Sequence, residues 1–304
     1  MLRHTLLYLS HQSWLRQWMT HSSLSRRFTS RFVAGPRLDD GIRVLSQLSN
    51  ERIWGTLDFL GENVTSLEEA SQSKESYIAA LAAIERVRLP ATVSIKLSQF
   101  GLDFSEEACF NNVVALAAYA QAMNSRVEID MESSAYTDRT LNLVARLQEC
   151  FAGHLRAVIQ AYLHRSEADI QRLNELKIPV RLCKGAYDEP PEVAFSEKAE
   201  VDRNYVRLMK LLFDEGTYPA IASHDESIVR QARDYVKARQ LSPDRFEFQM
   251  LYGIRRDLQR SLVADGYRLR LYVPYGDAWY PYFMRRLAER PANVLFLAKN
   301  VLRG

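Results

Sequence analysis

Thr92-Val93-Ser94-Ile95-Lys96-Leu97 and Val127-Glu128-Ile129-Asp130-Met131 are short apolar runs, and residues 105–123 between them carry a helical pattern. A strand, a helix and a second strand in that order build a parallel pair, because the helix supplies the crossover that parallel strands need. Reading outward from this unit, β-rich runs recur at 54–60, 157–160, 180–182, 220–223, 246–249 and 269–272. Helix-like stretches separate them at 66–88, 138–151, 167–176, 196–214, 226–239 and 255–265, and 280–290 supplies a last helix. Eight strands alternating with helices predict an α/β chain closed into a (β/α)8 barrel of the TIM type. An open doubly wound sheet is the alternative. It carries a Gly-x-Gly-x-x-Gly turn after its first strand, and the sequence contains no such turn.

The 304 residues, 47% hydrophobic and 25% charged, suit one large globular domain. The barrel is assigned to 39–304 and an N-terminal amphipathic helical extension to 1–38. A net charge of +3, with no basic block interleaved with aromatics, speaks against nucleic acid as a partner. Cys109, Cys150 and Cys183 are odd in number and form no Cys-x-x-Cys pair, so neither a disulfide framework nor a cysteine zinc site is expected. His154, His164 and His224 have no partners at ligand spacing, and no metal is predicted.

Residues 1–38 hold no Asp or Glu but carry Arg3, Arg16, Arg26, Arg27, Arg31 and Arg37. Two readings fit: a mitochondrial transit peptide, or amphipathic helices of the folded protein with Leu2, Leu6, Leu7, Trp14 and Trp18 as their apolar stripe. The stripe persists through the segment and favours the second. No run reaches the roughly 18 apolar residues of a spanning helix, but a basic, aromatic-rich segment of this kind suits a membrane surface. The expected location is cytoplasmic, with peripheral contact to the inner membrane.

Barrel enzymes place their chemistry at the C-terminal ends of the strands. Here those ends supply Asp58 and Glu62, Lys96, Asp130, Gln160, Arg181 and Lys184, His224, Gln249, and Tyr272. Lys96 and Asp130 each put a charge inside an apolar strand, which predicts that they pair with each other or with a bound charge. In the last helix Tyr282, Arg285, Arg286 and Glu289 are spaced to share one face, and two adjacent guanidinium groups suit a carboxylate. Tyr272, Tyr275, Tyr280 and Tyr282 crowd the same end, enough to enclose a small ring. Arg181-Leu182-Cys183-Lys184-Gly185-Ala186-Tyr187 leaves its strand in a small-residue turn of the kind that lets backbone N–H groups approach phosphate.

These residues resemble the proline dehydrogenase family from about Phe32 to Asn300. The resemblance rests on Phe32-Val33-Ala34-Gly35, Thr56-Leu57-Asp58-Phe59-Leu60-Gly61-Glu62, Ser94-Ile95-Lys96-Leu97-Ser98, Ile129-Asp130-Met131-Glu132 and Gln160-Ala161-Tyr162-Leu163. It continues through Lys184-Gly185-Ala186-Tyr187, Phe248-Gln249-Met250-Leu251-Tyr252-Gly253, Tyr272-Val273-Pro274-Tyr275-Gly276 and Arg285-Arg286-Leu287. Ser223 and Asp225 stand where the family commonly has Thr and Asn, and Asp188 where some members have Trp.

The resemblance implies the monofunctional form: a distorted barrel with FAD across its C-terminal mouth, the final helix over the flavin, and L-proline oxidised to 1-pyrroline-5-carboxylate. It assigns Lys96, Arg285 and Arg286 to the substrate carboxylate, Asp130 to holding Lys96, and Tyr272, Tyr282 and Leu251 to the pyrrolidine ring. Gln160 is assigned to the isoalloxazine edge and Arg181 to the neighbourhood of N5, so that Asp130, Arg181 and Tyr272 form the catalytic set. Met131, Lys184, Gly185, Ala186, Ser223, His224 and Glu289 are assigned to the rest of FAD. A membrane quinone is the implied electron acceptor. Glu62, at the mouth of the first strand, is expected to pair with Arg285 in the empty enzyme and act as a gate. The competing enzyme reading is a lyase barrel with Lys96 as a Schiff-base amine.

Overall fold

Eight parallel strands close into a barrel in the order in which they occur in the chain. They are β1 (Trp54–Phe59), β2 (Ala91–Ile95), β3 (Val127–Ile129), β4 (Leu155–Gln160), β5 (Val180–Cys183), β6 (Ala220–Ala222), β7 (Glu247–Leu251) and β8 (Leu269–Tyr275). β8 pairs back onto β1 from Trp54↔Arg270 to Phe59↔Tyr275, which leaves no open edge. The computed structural model describes residues 31–61, 64–280 and 282. Glu62, Arg285, Arg286, Glu289 and residues 1–30 lie outside them.

The helices on the outside are α1 (Leu38–Asn50), α2 (Leu67–Val87), α3 (Glu106–Ala122), α4 (Thr137–Phe151), α5 (Ser166–Glu175), α6 (Lys198–Glu215), α7 (Glu226–Ala238) and α8 (Arg256–Ala264). Several begin where side chains satisfy their first free N–H groups: Ser66 Oγ accepts from Glu69 N, and Ser105 Oγ from Ala108 N, each at 3.2 Å. Residues 279, 280 and 282 are helical, at the start of the last expected helix.

α1 is an element that the strand-to-strand reading passes over, because it precedes the first strand. It packs against β1 and β8, and Gly55 makes the approach possible: a Cβ there would come within 2.0 Å of Leu45 Cδ2. Just before α1, Ala34 N donates to Pro274 O at 2.8 Å and Gly276 N donates to Gly35 O at 2.9 Å. The chain entering α1 is thereby tied to the end of β8.

Alternation along each strand sends one set of residues to the helices and the other to the barrel interior. Leu57, Val93, Val127, Leu155, Leu182, Phe248 and Leu271 belong to the continuous apolar core. The inward set is unusual. Barrel interiors are commonly filled by Val, Ile and Leu, whereas here hydrogen bonds between non-adjacent strands cross the interior. Arg156 on β4 reaches Glu247 on β7, Arg181 on β5 reaches Ser94 on β2, and Arg270 on β8 reaches Thr92 on β2.

Candidate active site

The lower interior is a layer of paired charges. Glu128 accepts from Arg156 at 3.2 Å, from Arg181 at 2.9 Å and from Gln249 Nε2 at 3.2 Å. Glu247 accepts from Arg156 at 2.6 Å, from Arg270 Nε at 2.8 Å, from Gln249 at 2.7 Å and from Tyr218 at 3.0 Å. Glu128, Arg156 and Glu247 are 0% exposed, so each ion would carry a large desolvation cost if unpaired. Burial pushes both glutamates upward, but the arginines outweigh it and hold each carboxyl below its ordinary value. Of these charged residues only Arg181 stands among the strand-end candidates; Glu128, Arg156, Glu247 and Arg270 do not.

Directly above lies the predicted cluster. Asp130, at the end of β3, accepts from Ser94 Oγ and from Tyr272 OH, each at 2.7 Å, and is salt-bridged to Arg181. Burial raises its carboxyl, yet Arg181, Lys96 and these hydrogen bonds bring it below the ordinary value. Arg181 is thus gripped from two sides, by Glu128 below and Asp130 above, and its charge is fixed. Tyr272 is pushed well upward by burial and then by the charges of Asp130 and Asp58, so it remains a phenol donor.

Lys96 does approach Asp130, with Nζ 3.9 Å from Oδ2, but its nearer partner is Asp58 Oδ1 at 3.3 Å. The expectation of a Lys–Asp pair therefore becomes a lysine between two carboxylates. Asp58 is 1% exposed, and burial, more than Lys96 offsets, raises its carboxyl above the ordinary value. Its Oδ2 lacks a hydrogen-bond partner among the described residues.

Along the rim from β3 to β6 a second set of groups gathers. Gln160 Nε2 donates to Glu132 O at 2.9 Å, and its Oε1 accepts from Ala186 N at 3.4 Å, which ties the end of β4 to the turn after β5. That turn requires Gly185: its φ is +118°, and a Cβ would fall 2.2 Å from the Tyr162 ring. Met131 is buried at 6% exposure beside Asp130. His224 Nε2 accepts from Leu251 N at 2.8 Å, so this nitrogen carries no proton and the bond ties the end of β6 to β7.

Lys184, assigned to the rest of FAD, has carboxylate partners of its own. Its ammonium is salt-bridged to Asp202 on α6 and lies 2.9 Å from Asp225, the N-cap of α7. Asp225 N in turn donates to Ser223 Oγ at 3.1 Å. The topology brings together charges that the sequence separates, and the lysine is already balanced.

The tyrosines also divide. Tyr272 faces the interior, whereas Tyr275, an odd number of residues further along β8, points the other way and packs with its ring centroid 5.3 Å from that of Phe59. Tyr282 is buried against Val33 and Leu60, and Leu251 is half-buried at the end of β7. Among the described residues, Lys96, Asp130, Arg181 and Tyr272 therefore converge, while Tyr275 belongs to the outer core.

The sequence model described as proline dehydrogenase matches residues 42–299. Over 303 residues, covering 100% of both chains, the sequence is 40% identical to "Proline dehydrogenase 1" of Bacillus subtilis (strain 168). It is also 40% identical over 278 residues, 90% of each chain, to "Proline dehydrogenase" of Deinococcus radiodurans. Among solved structures it resembles proline utilization A from Bdellovibrio bacteriovorus inactivated by N-propargylglycine, with a TM-score of 0.81 at 26% identity. That match covers 86% of this chain and 32% of the longer protein.

Proposed function

The chain belongs to the proline dehydrogenase family, an oxidoreductase family of proline catabolism, and from that premise we propose how the upper barrel layer performs the reaction. L-Proline binds with its carboxylate on the Lys96 ammonium, at the centre of the barrel mouth. Arg285 and Arg286 of the last helix complete the grip, and Tyr272, Tyr282 and Leu251 enclose the ring. The observation that carries this reading is the setting of Lys96: a buried-edge ammonium 3.3 Å and 3.9 Å from two carboxylates, one of which already resists ionisation.

The residues on the β3–β6 arc suit a flavin. Gln160 has its amide fixed at both ends, Arg181 presents a pinned positive charge, and Gly185 leaves the turn bare of a side chain. Met131, Ala186, Ser223 and His224 would line the remainder, with Glu289 from the last helix. FAD, when bound there, would take hydride from the proline carbon beside nitrogen at its N5, giving 1-pyrroline-5-carboxylate. The phosphate end fits less simply, because Lys184 is shared with Asp202 and Asp225.

The protein's own part is position and charge. Asp130 holds Lys96, Arg181 and Tyr272 in one rigid set, and fixing a reactant's orientation in this way supplies several kcal/mol of the barrier. Electrons then pass to a membrane quinone, and the basic segment 1–38 gives the chain a means of lying on that membrane. Glu62 pairs with Arg285 until a carboxylate arrives. The lyase reading is the weaker one, since a Schiff-base lysine needs a neutral amine and Lys96 sits between carboxylates that favour its charged form. Anaerobic mixing of purified protein with L-proline tests the proposal. Flavin colour bleached by L-proline and not by D-proline is expected, whereas a colourless protein, or one trapped by borohydride with a carbonyl substrate, would overturn it.

A further inference from the structure

At the opposite mouth of the barrel, where the strands begin, lies a cavity of about 480 Å³. Trp54 and Pro90 contribute apolar wall, Arg88, Arg126 and Arg270 contribute donors, His154 turns its Nδ1 to the Ser125 carbonyl at 2.8 Å, and Glu85 is the carboxylate among its lining residues. Arg270 is occupied by Glu247, the Gly55 carbonyl and Thr92. Arg126 is in a different position: Nε donates to Gly153 O at 3.3 Å, the guanidinium sits 5.3 Å from the Tyr218 ring centroid, and no salt bridge to it forms among the described residues.

The surroundings add more positive charge. Arg156 also lies 5.3 Å from the Tyr218 ring, and its buried Nε and Nη2 have no acceptor among the described residues. Arg268 stacks 4.3 Å from the centroid of Trp54 and 5.5 Å from that of Tyr218. Burial, and then the charge of Arg156, push the Arg126 pKa down to about 10. The carboxylates whose charge acts on this group, Glu247 and Glu128, are already shared among Arg156, Arg181 and Arg270. A partly buried guanidinium with free donors and surplus positive charge around it is stabilised by an anion that offers two oxygens.

We propose that this N-terminal mouth is a second binding site, which takes a small anion of the carboxylate or phosphate class on Arg126 and Arg88, with Trp54 and Pro90 covering its apolar part. The cavity volume falls within the range of about 300–1,000 Å³ common for small-ligand pockets. The site is separate from the proline site and faces the other end of the barrel.

Calorimetric titration of the full chain at low ionic strength, with inorganic phosphate and separately with citrate, reads it directly. Saturable binding of either anion, weakened about tenfold or more by Arg126→Gln and left intact by Lys96→Met, is the expected result. Phosphate alone would mark a phosphate ligand, and citrate alone a polycarboxylate. No saturable heat with either anion, or binding indifferent to Arg126→Gln, overturns the proposal. Arg88→Gln, at an exposed position, weakens the same binding and serves if the Arg126 variant does not fold.

Discussion

The two layers of charge inside the barrel are built from the same residue types but paired to different degrees. In the lower layer all four carboxylate oxygens of Glu128 and Glu247 have donors, and both groups are held ionised by the arginines around them. In the upper layer Asp58 keeps one oxygen without a partner among the described residues and its carboxyl is raised, and Lys96 stands at 3.3 Å and 3.9 Å from its two carboxylates. The closed lower carboxylates tie β3 and β7 to the arginines of β4, β5 and β8, although Arg156 keeps Nε and Nη2 without an acceptor among the described residues. The oxygen of Asp58 without a donor among the described residues marks the upper layer as the less closed carboxylate set, and Arg181 joins the two.

The largest effect that would test this division is on stability. Glu247→Leu leaves Arg156 and Arg270 facing each other in a fully buried setting, and should cost about 3–5 kcal/mol in equilibrium urea unfolding. A loss below about 1 kcal/mol would show that the lower layer is not what holds the strands.

Asp130→Asn sharpens the comparison from above. It removes the charge that organises Lys96, Arg181 and Tyr272, and should lower kcat/KM for L-proline at least about a hundredfold, with the circular dichroism spectrum unchanged. Activity within a few-fold of the parent would detach Asp130 from the reaction.

Acid separates the layers by sign. Glu128 and Glu247 have carboxyls lowered from 4.5, so the unfolded chain binds more protons than the folded one once pH drops into that region. Their stabilisation is full above the ordinary value and drains away as pH falls through the lowered ones, which a series of urea midpoints would follow. Asp58 runs the other way: its raised carboxyl means the folded state binds the proton more tightly, so its contribution declines as pH rises past 3.8. Asp58→Asn therefore makes the smallest change, a slight rise in the urea midpoint at neutral pH, opposite in sign to Glu247→Leu. A marked fall would mean that Asp58 belongs with the closed layer.

Much of this was legible in the sequence. All eight strands lie where the apolar runs predict them, because alternation with helices is a long-range pattern that survives errors of a residue or two at each end. Lys96, Asp130, Arg181 and Tyr272 were found because they end apolar strands. Glu128, Arg156, Glu247 and Arg270 are not marked by a position at a strand end, because they lie deeper in the barrel. The signal was present, since Glu128 precedes Asp130, Glu247 precedes Gln249 and Arg270 precedes Tyr272 by one strand period of two residues. The same alternation sends Tyr275, an odd number of residues beyond Tyr272, to the opposite face. The partners of Lys184 carried no local signal: Asp202 and Asp225 lie 18 and 41 residues away, and only the closed barrel brings them together.

Single-turnover reduction of the proposed flavin by L-proline, compared between the parent and Lys96→Met, tests the central claim most directly. If the ammonium at the barrel mouth grips the substrate carboxylate, the half-saturating proline concentration rises about a hundredfold, as expected for losing a charge-assisted contact, while the limiting rate changes far less. A half-saturating concentration equal to that of the parent would contradict the account.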